Sequence, residues 1–371
     1  MLDDLFDDLD LETPTLEFDY ARKEGWAQFA SFDASQPVEM SMGDYEALSS
    51  TERALYNIGR ERFMTVEFRV ATPSLRKAAK AIQNAMADNR SPDASKSGVI
   101  ISGRPGYGKT TAVLEFGRAL ERRLGSHFGR HAKENEDGEE DEKNFIPVAY
   151  VPVPTHATAK TMISKILDFY GAIYSQTTRY ETLLARATSI MRKVGTQLVI
   201  IDDIHRLDLT YRHNEQVADA LKEVSERCPG TMVYAGVDVA KNGLFWGSRG
   251  EQIMARFEVV QFDRYRVDSA EGFAVWGRVV AELESSLCLL QQPHLELVSI
   301  AKELHELSGG SIGRLAKAVR RGARDAIGNH TERLDLDLIL ANLAAGRATA
   351  RWVEDEEGER RVRRRHRTQV G

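Results

Sequence analysis

The chain has 371 residues, 42% hydrophobic and 29% charged, an ordinary globular composition with room for one large domain, a smaller one and charged tails. No apolar run approaches the about 20 residues of a membrane span. The acidic N-terminus argues against a secretory leader, and the two cysteines, Cys228 and Cys288, fall in helix-like stretches and suit buried thiols, so a cytoplasmic chain without membrane contact is expected.

The net charge of −6 is unevenly spread. Residues 1–50 carry thirteen acidic and two basic side chains, and residues 131–144 carry seven and two, which leaves the remainder at +10. Such a basic remainder suits a nucleic-acid partner.

Met1 to Glu12 sets Leu2, Leu5, Phe6 and Leu9 among aspartates at helical spacing, which reads as a docking peptide or as a solvated acidic tail. Residues 13–44 have weak periodicity and predict an irregular arm, making 1–44 an acidic, mostly disordered N-terminal segment. Residues 45–63 predict a helix. Thr72 and Pro73 then start another, as cap and first helical position, with Leu75, Ala78, Ala79, Ile82 and Met86 as its buried stripe.

The apolar strand Val99-Ile100-Ile101-Ser102 runs into Gly103-Arg104-Pro105-Gly106-Tyr107-Gly108-Lys109-Thr110-Thr111, and a helical pattern follows to about Leu124. Every fixed position of G-x-x-x-x-G-K-[ST] is filled. Holding a triphosphate takes several backbone N–H groups aimed at one spot. The chain must curl without Cβ atoms in the way, which is the use of Gly103, Gly106 and Gly108. The next helix adds its free N–H groups and the positive end of its dipole. Lys109 is the expected partner of the β- and γ-phosphates and Thr110 of Mg²⁺, the one metal expected.

After the acidic loop, 131–144, comes a second strand over 145–153, then helices at 157–169 and 179–194. Leu198-Val199-Ile200-Ile201 is a near-continuous apolar strand, as a parallel sheet buried on both faces requires. It ends in Asp202-Asp203, which a doubly wound topology places beside the phosphate loop. Asp202 is the expected Mg²⁺ carboxylate, bound directly or through water, and Asp203 the expected polariser of the attacking water. Residues 231–238 and 258–262 read as further strands. From Asp268 the chain shows no strand, only amphipathic helices at about 269–287, 293–307, 311–327 and 335–345, opened by the capping box Asp268-Ser269-Ala270-Glu271. Arg360 to Arg367 is a basic cluster in a charged tail, a nucleic-acid contact or a solvated end.

This order resembles the AAA+ ATPases, and within them the TniB/TnsC family of transposition helper ATPases, over about Leu75 to Ala345. Besides the phosphate loop, the resemblance rests on Val151-Pro152-Val153-Pro154-Thr155, on Asp202-Asp203-Ile204-His205, on Gln252 to Phe257 with its Arg-Phe end, and on Ser308-Gly309-Gly310-Ser311-Ile312-Gly313. It implies an α/β fold, a P-loop AAA+ parallel sheet flanked by helices over 45–265, then a small all-helical lid over 266–346 and a charged tail over 347–371.

The resemblance also implies roles. Arg256 is similar to an arginine finger reaching a neighbouring subunit's γ-phosphate, with Arg249 as second choice. Asp238 resembles the first sensor of the nucleotide and Arg314 the second. Implied too are ATP and Mg²⁺ as cofactors, ATP hydrolysis, a ring or filament of identical subunits, double-stranded DNA as ligand, and a transposase or other recombination protein as partner. Lys160 is a further candidate DNA contact. Asp203 stands where the family usually carries Glu. That leaves a nucleotide-gated scaffold with negligible hydrolysis as one alternative, and a helicase loader or defence ATPase with the same core as another.

Overall fold

The computed structural model of the protein describes residues 17–33, 35–67, 69–91, 95–128, 145–207, 214–239, 245 and 247–343. The peptide 1–12, the acidic loop 131–144 and the tail 347–371 lie outside the described residues. By contact, the described chain falls into two compact units, one reaching to Phe32 and resuming over Thr72–Asp263, the other taking Asp33–Ala71 and the chain from Arg264 onward. The boundary therefore divides the expected domain of 45–265 at 71/72. Among the described residues no helix is long and apolar enough to cross a membrane.

In the first unit, five strands form one parallel sheet in the order β2-β3-β4-β1-β5: β1 (Gly98–Gly103), β2 (Val148–Pro152), β3 (Leu198–Asp202), β4 (Thr231–Gly236) and β5 (Phe257–Phe262). β1, β3 and β4 are buried along their whole length, as their unbroken apolar runs require of a sheet covered on both faces. The cover comes from α4 (Pro73–Asp88) against β1 and β5, α5 (Lys109–Phe128) against β1 to β4, and α6 (Ala159–Phe169) against β2. Thr72 caps α4 through the Leu75 N–H (3.1 Å) with Pro73 in the first turn, as the sequence predicts. The unit also holds α7 (Tyr180–Lys193), α8 (Asn214–Arg227), which ends just before Cys228, and α9 (Gly247–Met254), for which the sequence carries no expectation.

The arm over 13–44 is the main correction. Instead of irregular chain it contains α1 (Lys23–Ser31), whose Trp26 and Phe29 are each 1% exposed and belong to the sheet's own core. The nine-residue helix is too short to be stable alone; tertiary contacts hold it. Arg118 and Arg122 of α5 donate to the carbonyls of Phe32 (2.5 Å) and Ala30 (2.6 Å), which closes the end of α1 with cations. Gly117 of α5 lets the arm approach, since a Cβ there would stand 2.9 Å from the Trp26 ring.

The other unit is helical: α2 (Met42–Ala47), α3 (Ser50–Val66), α10 (Ala270–Ser285), α11 (Glu296–Ser299), α12 (Ala301–Ser308), α13 (Ile312–Gly328), and helical residues 336–343. The helix expected over 45–63 is split, because Ser49 and Glu52 form a reciprocal capping box that starts α3 afresh. The one expected over 293–307 is split into α11 and α12. The cap of α10 is Ser269, one residue later than the expected box. Trp276, Leu283, Leu304, Leu315 and Ile339 centre its core. Arg60 of α3 is wholly buried there, bidentate to Glu332 (2.6 and 2.9 Å), with a third bond to the Cys288 carbonyl (3.0 Å). Cys228 and Cys288 follow α8 and α10 rather than lying in them, and burial pushes the Cys288 thiol pKa to about 11 and that of Cys228 to about 12.

Candidate functional site

The phosphate-loop sequence folds as a tight turn from β1 into α5. Gly106 (φ 77°) and Gly108 (φ 90°) occupy the left-handed region that a side chain resists. Gly103 serves a different need: a Cβ there would stand 2.2 Å from the Phe262 carbonyl oxygen, so the loop leaves the sheet pressed against β5. Arg104, Pro105 and Gly106 are exposed, Tyr107 packs its ring against the core, Thr110 is exposed and Thr111 half-buried. Lys109 opens α5 at only 7% exposure, and its ammonium donates to the Arg104 carbonyl (2.9 Å). Burial pushes its pKa down, while Asp202, Asp203 and Asp238 oppose that shift.

The acids arrive from the adjacent strands β3 and β4. Asp202 ends β3 at 2% exposure. One carboxylate oxygen accepts from the Tyr150 hydroxyl (2.9 Å) and the other from the Asp203 N–H (2.7 Å). The Thr110 hydroxyl is also hydrogen-bonded to it. Burial pushes the Asp202 pKa up and these bonds pull it back. Asp203 turns the chain through φ 59° and faces Arg206 at 3.1 Å and the His205 ring nitrogen Nδ1 at 3.9 Å. That nitrogen accepts the Val237 N–H (3.2 Å), so neutral His205 carries its proton on Nε2, and burial lowers its pKa. Asp238, two residues past β4, is half-buried with φ 45°.

The structure thus brings Lys109, Thr110, Asp202, Asp203 and Asp238 to one end of one sheet. Backbone N–H groups of a tight turn, an ammonium, a hydroxyl and a carboxylate are the groups that a nucleoside triphosphate and a hard divalent cation require. Sequence reading missed Tyr150 here; the only signal was a polar-tipped aromatic in the strand beside the acid-tipped one.

Arg256 is not brought to this end. It directly precedes β5, and its carbonyl accepts the Gly98 N–H (3.3 Å) at the start of β1. The five steps from Gly98 to Gly103 put it about 17 Å from the phosphate loop. At 37% side-chain exposure it pairs with Glu226 (3.0 Å). The side chain of Arg249 lies outside the described residues. Arg314 stands in the first turn of α13, in the helical unit, its N–H on the capping Ser311 hydroxyl (3.4 Å). One of its guanidinium nitrogens is buried with no hydrogen-bond partner among the described residues. Lys160 donates to the Gln176 carbonyl (2.7 Å).

The family described as "Bacterial TniB protein" matches residues 68–267. No curated protein matches the sequence. Among solved structures, the chain is similar to the Aeropyrum pernix ORC1 protein in complex with DNA, at 14% identity over 77% of this chain and 69% of that one, with a TM-score of 0.54. It is similar to the Aeropyrum pernix ORC2 protein in its ADP form, at 16% identity over 76% and 72%, also at 0.54. The ADPNP–ADP complexes of that protein give 15%, 76%, 71% and 0.52. At such identities the likeness is one of fold, that of the AAA+ P-loop ATPases.

Proposed function

The chain belongs to the bacterial TniB family, and we propose that it is an ATP-hydrolysing, DNA-binding oligomer that prepares target DNA and recruits a transposase or a related recombination protein. The observation that carries this reading is the separation of two charged groups within one sheet. Lys109, Thr110 and Asp202 stand at one end of β1 and β3, while Arg256 stands at the other end of β5. An arginine about 17 Å from its own phosphate loop acts on a nucleotide only in a neighbouring subunit.

Gly103 to Thr111 would hold the phosphates of ATP, with Lys109 on the β and γ groups. Thr110 and Asp202 would hold Mg²⁺, which when bound neutralises charge on the transferred phosphoryl group. Asp203 orients the attacking water. Asp238 and Arg314 sense the nucleotide, and Arg256 completes the neighbour's site. Assembly is then a condition for hydrolysis, and ATP between subunits stabilises a ring or filament. The +10 charge outside the two acidic segments supports phosphate-backbone contacts to double-stranded DNA with little sequence preference.

ATP hydrolysis with and without double-stranded DNA tests the reading. Stimulation by DNA is expected for the intact chain and loss of it for Lys109→Ala and Arg256→Ala, by 10³-fold or more for the arginine, on the order of known fingers. Turnover that ignores DNA and survives Arg256→Ala rejects it. One observation favours the scaffold as a second reading: Asp203 is short and engaged by Arg206 at 3.1 Å. Negligible turnover of the intact chain with DNA would favour the scaffold, and turnover that is lost in Asp203→Ala would favour hydrolysis.

A further inference from the structure

The orientation of Asp202 is set from outside the phosphate loop. The Tyr150 hydroxyl reaches its Oδ2 at 2.9 Å from the neighbouring strand. In the β2–β3 register Tyr150 lies opposite Ile200 and Pro152 opposite Asp202, so the bond is a diagonal that a ring-length side chain spans and a shorter one does not. With Asp203's N–H on Oδ1 and the Thr110 hydroxyl also bonded, the carboxylate has one plane available to it.

The ring that delivers the hydroxyl is itself held. Trp26 of α1 stacks on it (centroids 5.9 Å apart, planes at 11°) and Tyr20 meets it edge-on (6.1 Å, 72°). Trp26 is in turn fixed by its indole N–H on Glu121 of α5 (3.2 Å). Glu121 also accepts the Val148 N–H at the start of β2, the edge strand that carries Tyr150. The aromatic arm, α5 and β2 therefore close one circuit around Tyr150, and α5 is the helix whose first residues form the phosphate loop.

We infer that Tyr150 is a positioning residue for the divalent-cation site: its hydroxyl, clamped by Trp26 and Tyr20 of the N-terminal arm, fixes Asp202 against Thr110 and so sets the affinity of the nucleotide site for Mg²⁺. This rests on the nucleotide reading above. A tyrosine that merely satisfies a buried carboxylate would change stability and leave the cation requirement unmoved.

The test is binding of a fluorescent N-methylanthraniloyl ATP to the full chain, titrated with Mg²⁺ and repeated in EDTA, with thermal unfolding of each nucleotide-free variant alongside. Tyr150→Phe keeps the ring and its stacking and removes only the hydroxyl. It is expected to raise the Mg²⁺ midpoint about tenfold, as loss of a partner to a metal ligand does, with binding in EDTA unchanged. Trp26→Phe, which weakens the clamp, is expected to shift the midpoint the same way by less, and tests the circuit from its other end should Tyr150→Phe not fold. An unmoved midpoint in Tyr150→Phe overturns the inference. A shift in Tyr150→Phe with none in Trp26→Phe overturns the part given to the arm. A wild-type chain that binds no Mg²⁺–nucleotide, or a Lys109→Ala chain that binds as well as wild type, overturns the nucleotide reading and this inference with it.

Discussion

Glu121 shows what single residues do around the site. It sits between the Trp26 indole and the Val148 N–H, and burial raises its pKa from 4.5 to about 7. A carboxyl raised in the folded state holds its proton longer there than in the unfolded chain. It therefore costs nothing below about 4.5, costs stability increasingly as pH rises to about 7, and a constant amount above. Glu121→Gln is expected to flatten this window: thermal midpoints of wild type fall relative to the variant between pH 4.5 and 7, and run parallel above. Parallel curves throughout would mean that Glu121 is ionised in both states. Lys109 shows the same competition with the opposite sign, since burial opposes its charge and three aspartates favour it.

At the scale of elements, specific arginine side chains tie helices to the units they belong to. α1 needs Arg118 and Arg122 on its final carbonyls. α3 is joined to its unit by Arg60, buried among Glu332, the Cys288 carbonyl, and the Tyr45 and Tyr56 rings (5.2 and 4.9 Å). Breaking such a pair leaves a charge buried without its partner. Arg60→Leu is expected to cost about 3–5 kcal/mol in urea unfolding. The double variant Arg60→Met/Glu332→Leu is expected to recover most of it, because both charges leave together. A single variant that costs under about 1 kcal/mol would show that water reaches the pair.

For the whole molecule, the proposed contact with DNA makes the distribution of charge testable. The loop 131–144 carries a net −5 beside a core that is basic once both acidic segments are set aside. Deleting it is expected to tighten binding to double-stranded DNA severalfold at about 0.1 M salt, with the gain fading toward about 1 M as the Debye length falls to about 3 Å. Fluorescence anisotropy across a salt series reads this directly. Equal affinity with and without the loop at low salt would show that the acids lie too far from the DNA path to matter.

The sequence by itself determined the phosphate loop, the five strands, the acid pair that ends β3 and the helical stretch after Asp268. Each of these is written in consecutive residues: glycines at fixed spacing, apolar runs, caps beside the helices they start. Tertiary structure alone decided the rest. The arm carries only a weak periodic signal, and its burial follows from contacts between Trp26 and residues over ninety positions away. Arg60 meets Glu332 across 272 positions and Tyr150 meets Asp202 across 52. The place of Arg256, at the far end of the sheet from Lys109, became visible only through the parallel register of β1 and β5. Backbone-driven features are local because φ, ψ and the helix dipole act over a few residues. A buried side chain's partner is set by whichever strand or helix the topology lays against it, and no local pattern encodes that.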